Sequence, residues 1–325
     1  SVATMIILCP GRWIGSAKMM KTTTNVLYII VGIVAATTAT PNAFVVRSRS
    51  TRTATGLHAA IQPNDKVLVL GGTGGVGQLT IGKLLNHPNN FSVRTTSRDP
   101  AKAKESISMF GQEEATSDNL EIVQLDLLKD DTTALENAMS DVAGAVISVG
   151  TTAFPTMKWK GGNTPQAIDQ EAVARVAYVA TKAPKLKKIV LVTSVGVERT
   201  DQMPFLILNL FGVLDAKKKG EEAIMAAATT SSSGRFDYTI IRPGRLVGGP
   251  YTNEDLAKLF QIDGGSGNII ESGDSLLGDC KRDGCADAVV QALLNDNCQN
   301  KAFSIMSTDE KAWTQDEWKA QFDAL

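Results

Sequence analysis

Three glycines set three apart, Gly71, Gly74 and Gly77, form the first spacing in this chain that can do chemistry. The run Gly71-Gly72-Thr73-Gly74-Gly75-Val76-Gly77 offers backbone amides with little side chain to shield them, and such amides bind anions, a pyrophosphate above all. Gly71 supplies a tight turn, Gly74 lets the backbone approach the phosphates, and Gly77 lets a helix pack closely on a strand. Glycines alone could equally serve a sharp chain reversal. Roughly twenty residues past the last of them stands Ser97-Arg98-Asp99. A guanidinium there suits an adenosine 2′-phosphate, being planar and permanently charged. Arg98 therefore points to NADP, while Asp99 leaves NAD open, because a carboxylate at this place holds free ribose hydroxyls.

These residues need a frame, and the flanking sequence supplies one. Val67-Leu68-Val69-Leu70 is an unbroken apolar run, as expected of a strand buried on both faces of a parallel sheet. Gln78 to Leu85 follows with apolar residues at helical spacing. Further strands are predicted at Phe91–Ser97, Leu120–Asp126, Ala145–Gly150, Lys188–Ser194 and Tyr238–Gly244. Asp126 closes the third strand of the chain at its carboxyl end, where ligands collect in such sheets. Helices are predicted over Leu135–Met139, Pro165–Ala180 and Leu206–Ala228. This alternation implies an α/β fold, a Rossmann-like doubly wound parallel sheet with right-handed crossovers. From about Gly248 the chain turns glycine-rich, with Gly264 to Gly267 read as loop. A helix over Arg282–Leu294 with Asp283 as its N-cap, a strand at Ala302–Met306 and a helix at Gln315–Leu325 follow. These short pieces read as a small C-terminal lid on the domain of residues 61–325. Leu206-Ile207-Leu208-Asn209-Leu210-Phe211 is apolar enough for lid core or a docking surface, and a helix so placed favours core.

Composition narrows the function classes. Hydrophobic residues make up 43% and charged residues 21% of the 325-residue chain, ordinary for a globular protein. The first 64 residues hold six basic residues and no acid, leaving 27 basic against 34 acidic in the remainder. That acidic balance argues against a nucleic-acid partner. Four cysteines without a Cys-x-x-Cys pair, and only two histidines, give no structural zinc spacing. A Cys280–Cys285 bridge is conceivable, although free thiols are the simpler expectation.

The first 60 residues read as an address. Met20-Lys21 precedes a short apolar core, Val26 to Ala36, and Pro41-Asn42-Ala43 has the small residues of a cleavage site. Phe44 to Ala60 is rich in Arg, Ser and Thr and lacks acid, which is transit-peptide composition. Roughly from Met20 to Ala60 this resembles the bipartite presequence of proteins entering plastids of secondary origin, which implies the plastid stroma. An uncleaved membrane anchor is the alternative, disfavoured by the brevity of the apolar run.

From Lys66 to Phe303 the chain resembles the atypical short-chain dehydrogenase/reductase family, in its branch of NmrA-like and flavin-reductase-like NAD(P)-binding proteins. The marks are Gly71-x-x-Gly74-x-x-Gly77, Ser97-Arg98-Asp99-Pro100, Leu125-Asp126-Leu127, Val192 to Val197 and Asp237 to Gly244. By that likeness Thr73, Gly74, Val76 and Gly77 hold the pyrophosphate, Arg98 the adenosine phosphate and Asp126 the adenine amine. Ser148, Val149 and Gly150 border the ribose, and Pro243 and Gly244 close over the nicotinamide. The likeness further implies Ser194 and Lys217 as catalytic groups. Reductases of the superfamily carry Tyr-x-x-x-Lys, however, and Val213 stands four residues ahead of Lys217. The phenolic acid is missing, and Tyr251 in the lid is the substitute on offer. Lys217-Lys218-Lys219 also reads as a solvated helix face. Two functions stay open: a plastid oxidoreductase using NADP(H) on a small organic substrate, and a non-catalytic NADP(H) sensor or docking factor for a plastid membrane complex.

Overall fold

The computed structural model describes residues 3–9, 12–19, 61–108, 118–230, 236–249 and 266–325. The chain divides into two units, Ser1–Thr53 and Ala54–Leu325. In the first, strands β1 (Ala3–Cys9) and β2 (Arg12–Met19) pair antiparallel. The remainder of the predicted leader lies outside the described residues.

The second unit is built on eight strands. They are β3 (Lys66–Leu70), β4 (Ser92–Ser97), β5 (Leu120–Gln124), β6 (Gly144–Ile147), β7 (Lys188–Val192), β8 (Asp237–Pro243), β10 (Ser266–Ser272) and β12 (Lys301–Lys311). Their spatial order is β10-β12-β8-β7-β6-β3-β4-β5, and β10 is the antiparallel member. The expected doubly wound parallel sheet is what forms. Short strands β9 (Arg245–Val247) and β11 (Asp279–Lys281) pair beside it.

Both faces of the sheet are covered, and the strand sequences explain why. Along β3, Val67 and Val69 enter one apolar cluster while Leu68 and Leu70 enter the other, all fully buried. Successive side chains point to opposite faces, so a strand with helices on both sides must be apolar throughout. The first cluster takes residues from α1 (Gly75–Leu85), α7 (Arg282–Leu294) and α8 (Gln315–Ala324). The second takes them from α3 (Thr132–Met139), α4 (Val173–Ala180) and α6 (Val213–Thr230). Helix α2 (Pro100–Ser108) follows β4 and has no counterpart among the predicted elements.

Several expectations need correction. The strand expected to reach Asp126 ends at Gln124. The segment read as loop at Gly267 belongs to β10, whose partner β12 runs well past the predicted Met306. The predicted helix Leu206–Ala228 is two helices, α5 (Phe205–Leu208) and α6, parted at Gly212, whose φ is +74°. Nor is the α5 segment core: Leu206 is 50% exposed, Leu210 66% and Phe211 49%. Asp283 is not the N-cap of α7; Lys281 holds that place, and Asp283 pairs with Lys83 at 2.9 Å. Cys280, Cys285 and Cys298 are free and buried.

Candidate cofactor and active site

The cleft lies where the sheet reverses its strand order. From β3 the chain steps outward to β4 and β5, then β6 returns on the other flank of β3. Ligands of open α/β sheets sit outside the carboxyl ends of the strands at such a point. Here Leu70 is followed by Gly71 at φ +87°, a conformation costly for a residue with a Cβ. Helix α1 starts almost at once with Gly74 as its N-cap. Its first-turn amides have no acceptor within the helix and lie at the positive end of its dipole. A Cβ on Gly77 would fall 2.2 Å from the Gly71 carbonyl oxygen, and one on Gly71 would fall 2.8 Å from the Ser148 carbonyl carbon. The Ser148 amide and hydroxyl both donate to the Leu70 oxygen, at 2.9 and 3.1 Å, so the ends of β3 and β6 are tied together.

Two cavities meet at this turn. One of about 470 Å³ runs from Gly71, Thr73 and Gly74 to Arg98 and Asp126. The other, of about 670 Å³, is bordered by Val76, Ser194, Lys217, Pro243 and Gly244. Ser148, Val149, Gly150 and Thr151 line both. A glycine-walled corner between two such volumes fits a dinucleotide with its pyrophosphate at the helix start. Gly77 closes the corner from behind rather than lining it. Tyr251 lies outside the described residues.

At the adenosine end, Arg98 is exposed, with Nη1 3.5 Å from Asn163 Oδ1. Asp99 is occupied by its own chain: its Oδ1 accepts from the Lys102 amide at 3.2 Å, bonding the first turn of α2. Asp126 accepts from the Leu128 amide at 3.0 Å, and its own amide donates to Asp130 Oδ2 at 2.7 Å. A short hydrogen-bonded turn therefore presents it to the cavity.

The opposite end carries the catalytic question. The Ser194 hydroxyl donates to the Val195 oxygen at 3.0 Å. Val213, in the place of a tyrosine, is 3% exposed and packs with Val195, Val197, Phe205 and Leu214. Lys217 is no solvated face residue. Its Nζ lies 2.6 Å from Asp169 Oδ1, and the two side chains are 12% and 1% exposed. Asp169 comes from a π-helical turn, Gln166–Ala172, that leads into α4. Its Oδ2 accepts from the Thr151 amide at 3.2 Å and from the Thr151 hydroxyl.

A second buried network backs this wall. Glu221, one turn past Lys217, accepts from Thr193 Oγ1 at 2.5 Å and from Arg242 Nη2 at 2.6 Å. Arg242 also meets Glu198 at 2.8 Å. Burial works against the guanidinium's charge, but Glu221 and Glu198 outweigh it and raise the Arg242 pKa above its ordinary value. Asp274 accepts from the amides of Gly196 and Glu198, at 2.7 and 2.9 Å, fastening the loop after β7 to the segment after β10. At the cavity mouth Arg245 grips Asp279 with two bonds, which hold that carboxyl below 3.8.

Asp169, Thr151 and Asp274 were not among the residues predicted to matter. Asp169 had a signal: it shares the stripe of Ala172, Val173, Val176 and Ala180, all buried, so a lone acid sits in register with core residues. Asp274 had none, being one polar residue in a polar turn.

A family model described as NAD(P)H-binding matches residues 71–296. Among curated proteins, protein TIC 62, chloroplastic, of Oryza sativa subsp. japonica is 33% identical over 190 residues, covering 56% of this chain and 35% of that protein. Its counterpart in Pisum sativum is 32% identical over 210 residues, covering 61% and 36%. The chain thus spans little more than a third of the length of these relatives. Among solved structures, the oxidoreductase ylbE from Lactococcus lactis is similar with a TM-score of 0.56, covering 80% of this chain and 96% of that one. At 17% identity this likeness is one of fold.

Proposed function

This chain belongs to the NAD(P)H-binding family, and from that premise we propose that it is a plastid oxidoreductase that prefers NADP(H) and acts on a small, largely apolar organic substrate. The observation that carries the reading is the continuity of the two cavities through the glycine corner. The larger one continues past Lys217 to Phe205, Leu208, Leu214, Leu246 and Leu277, more wall than a nicotinamide needs. Arg98 at the far end, with Asp99 turned to capping α2, supports NADP over NAD.

When bound, the dinucleotide supplies the hydride chemistry, and the protein supplies position and exclusion of water. The α1 amides bind the phosphates, Gly71 and Gly77 let helix and strand close on them, and Lys217 sets an ammonium beside the ribose. Ser194 stands at the substrate side. Thr151, Thr193 and Ser194 each spend their hydroxyl proton on a named acceptor. Tyr251 or a water molecule is then left to deliver the proton, and water suits an acceptor that spreads charge over a conjugated system better than an isolated carbonyl.

The chloroplastic relatives support the plastid, and the composition of residues 1–60 supports import to the stroma. A fluorescent protein carrying those residues is expected in the plastid stroma; retention elsewhere would overturn the address. A second reading, a non-catalytic NADP(H) sensor or docking factor for a membrane complex, is favoured by Val213 and by the exposed apolar side chains of α5. Titration with NADPH followed by quinone, flavin and aldehyde panels separates the two. Tight binding with no NADPH oxidation above background would leave the sensor; oxidation with any panel member establishes the enzyme.

A further inference from the structure

Resting on the cofactor reading above, we infer that Asp169 is a positioning residue for the dinucleotide, taking over from the absent phenol as the fixed partner of Lys217. A lysine ammonium rides on a flexible four-carbon stem and needs something to aim it. Here that something is a carboxylate, 3% exposed, at 2.6 Å from Nζ. The pair sits in a space shaped for it. A Cβ on Gly150 would lie 3.0 Å from Lys217 Nζ and 3.3 Å from Asp169 Oδ1, so the residue that borders both cavities is one that leaves the ion pair uncrowded. A Cβ on Gly220 would lie 2.4 Å from the Asp169 carbonyl oxygen, so α6 approaches the π-helical turn closely enough to bring the two charges together.

Asp169 also serves more than one element. Oδ1 holds α6 through Lys217, while Oδ2 holds the loop after β6 through the amide and hydroxyl of Thr151. That loop is the wall common to the two cavities. A single buried carboxylate thus fixes both the ammonium and the backbone against which the nicotinamide riboside half would lie. The charged groups of the adenosine end bond elsewhere, Arg98 to Asn163 and Asp126 to the Leu128 amide.

This asymmetry gives the test. Affinities for NADPH and for adenosine 2′,5′-bisphosphate, which fills only the far cavity, are measured for the wild type, Asp169→Asn, Lys217→Met and the double variant, each with a thermal melt. Asp169→Asn is expected to weaken NADPH by about tenfold while changing the bisphosphate by less than about twofold, since it leaves a buried ammonium without its partner. In the Lys217→Met background the same change is expected to have no further effect on NADPH. A purely structural Asp169 would weaken both ligands together and cost the same in either background, and that result overturns the inference. So does wild-type affinity of Asp169→Asn for NADPH. If a single variant fails to fold, the double variant, which buries no charge, keeps the test open: it must bind the bisphosphate normally and NADPH weakly. Absence of NADPH binding by the wild type would instead overturn the cofactor reading.

Discussion

At the scale of single residues, the site separates groups that grip from groups that permit. In the proposed function Arg98 grips: a charge-assisted bond to a phosphate contributes about 1.5–3 kcal/mol. Arg98→Ala is therefore expected to weaken NADPH by about ten- to a hundredfold with little change for NADH, read by titration of both. Equal losses would remove the assigned role. Gly77 permits. Its missing Cβ is what lets the Gly71 carbonyl sit where it does, at 2.2 Å from the place a methyl would take. Gly77→Ala should cost about 1–3 kcal/mol in a denaturant melt and abolish dinucleotide binding, because the corner must open to admit the methyl. Spacing alone singles out both residues. It does not single out the pair that holds the other end, because Lys217 and Asp169 lie 48 positions apart and meet only through tertiary packing.

At the scale of elements, legibility followed burial. Strands β3, β6 and β7 are apolar but for the lysines that open β3 and β7, because both faces are covered, so an unbroken run identifies them. Strand β10 begins in the Gly264–Gly267 cluster that reads as loop, and only its pairing with β12 draws it into the sheet. The continuous periodicity from Leu206 to Ala228 hid a break at Gly212, since a glycine within a helical pattern states neither that it interrupts nor that it continues. The apolar letters of Leu206 to Phe211 misled for another reason: they pattern like core yet lie on the surface, where Phe211 meets Phe154 and Trp159 edge to face, and only the preceding Phe205 turns inward. This contrast can be measured. Leu210→Asp, at a side chain 66% exposed, should leave stability within about 0.5 kcal/mol. Leu214→Ala, only four residues on but 3% exposed, should cost about 2–5 kcal/mol. Similar costs for the two would mean that α5 is covered after all.

Across the whole molecule, the acid limb of stability should depend on a cluster at the opposite ends of the strands. Lys66 opens β3, and its Nζ lies 2.6 Å from Asp141, which Arg94 of β4 also bonds. Burial pushes the Asp141 carboxyl up, but the hydrogen bonds from Lys66 and Arg94 prevail and set it below 3.8. A depressed carboxylate gives stability that is present above its unfolded pKa and lost as pH falls through the folded one. Asp141→Asn should accordingly flatten the acid-unfolding curve below pH about 4 and leave dinucleotide affinity unchanged, which a pH series of melts and one titration would check.

The family match stops at residue 296, but the sheet does not. Strand β12 lies between β8 and β10, and behind it Phe303, Trp318 and Phe322 stack with ring centres 5.4 to 5.7 Å apart. A gene fragment trimmed to the matched boundary would strip the rung next to the edge from the ladder and bare an oily seam across one flank. Such a product should collect in inclusion bodies, so expression boundaries for this protein belong beyond α8.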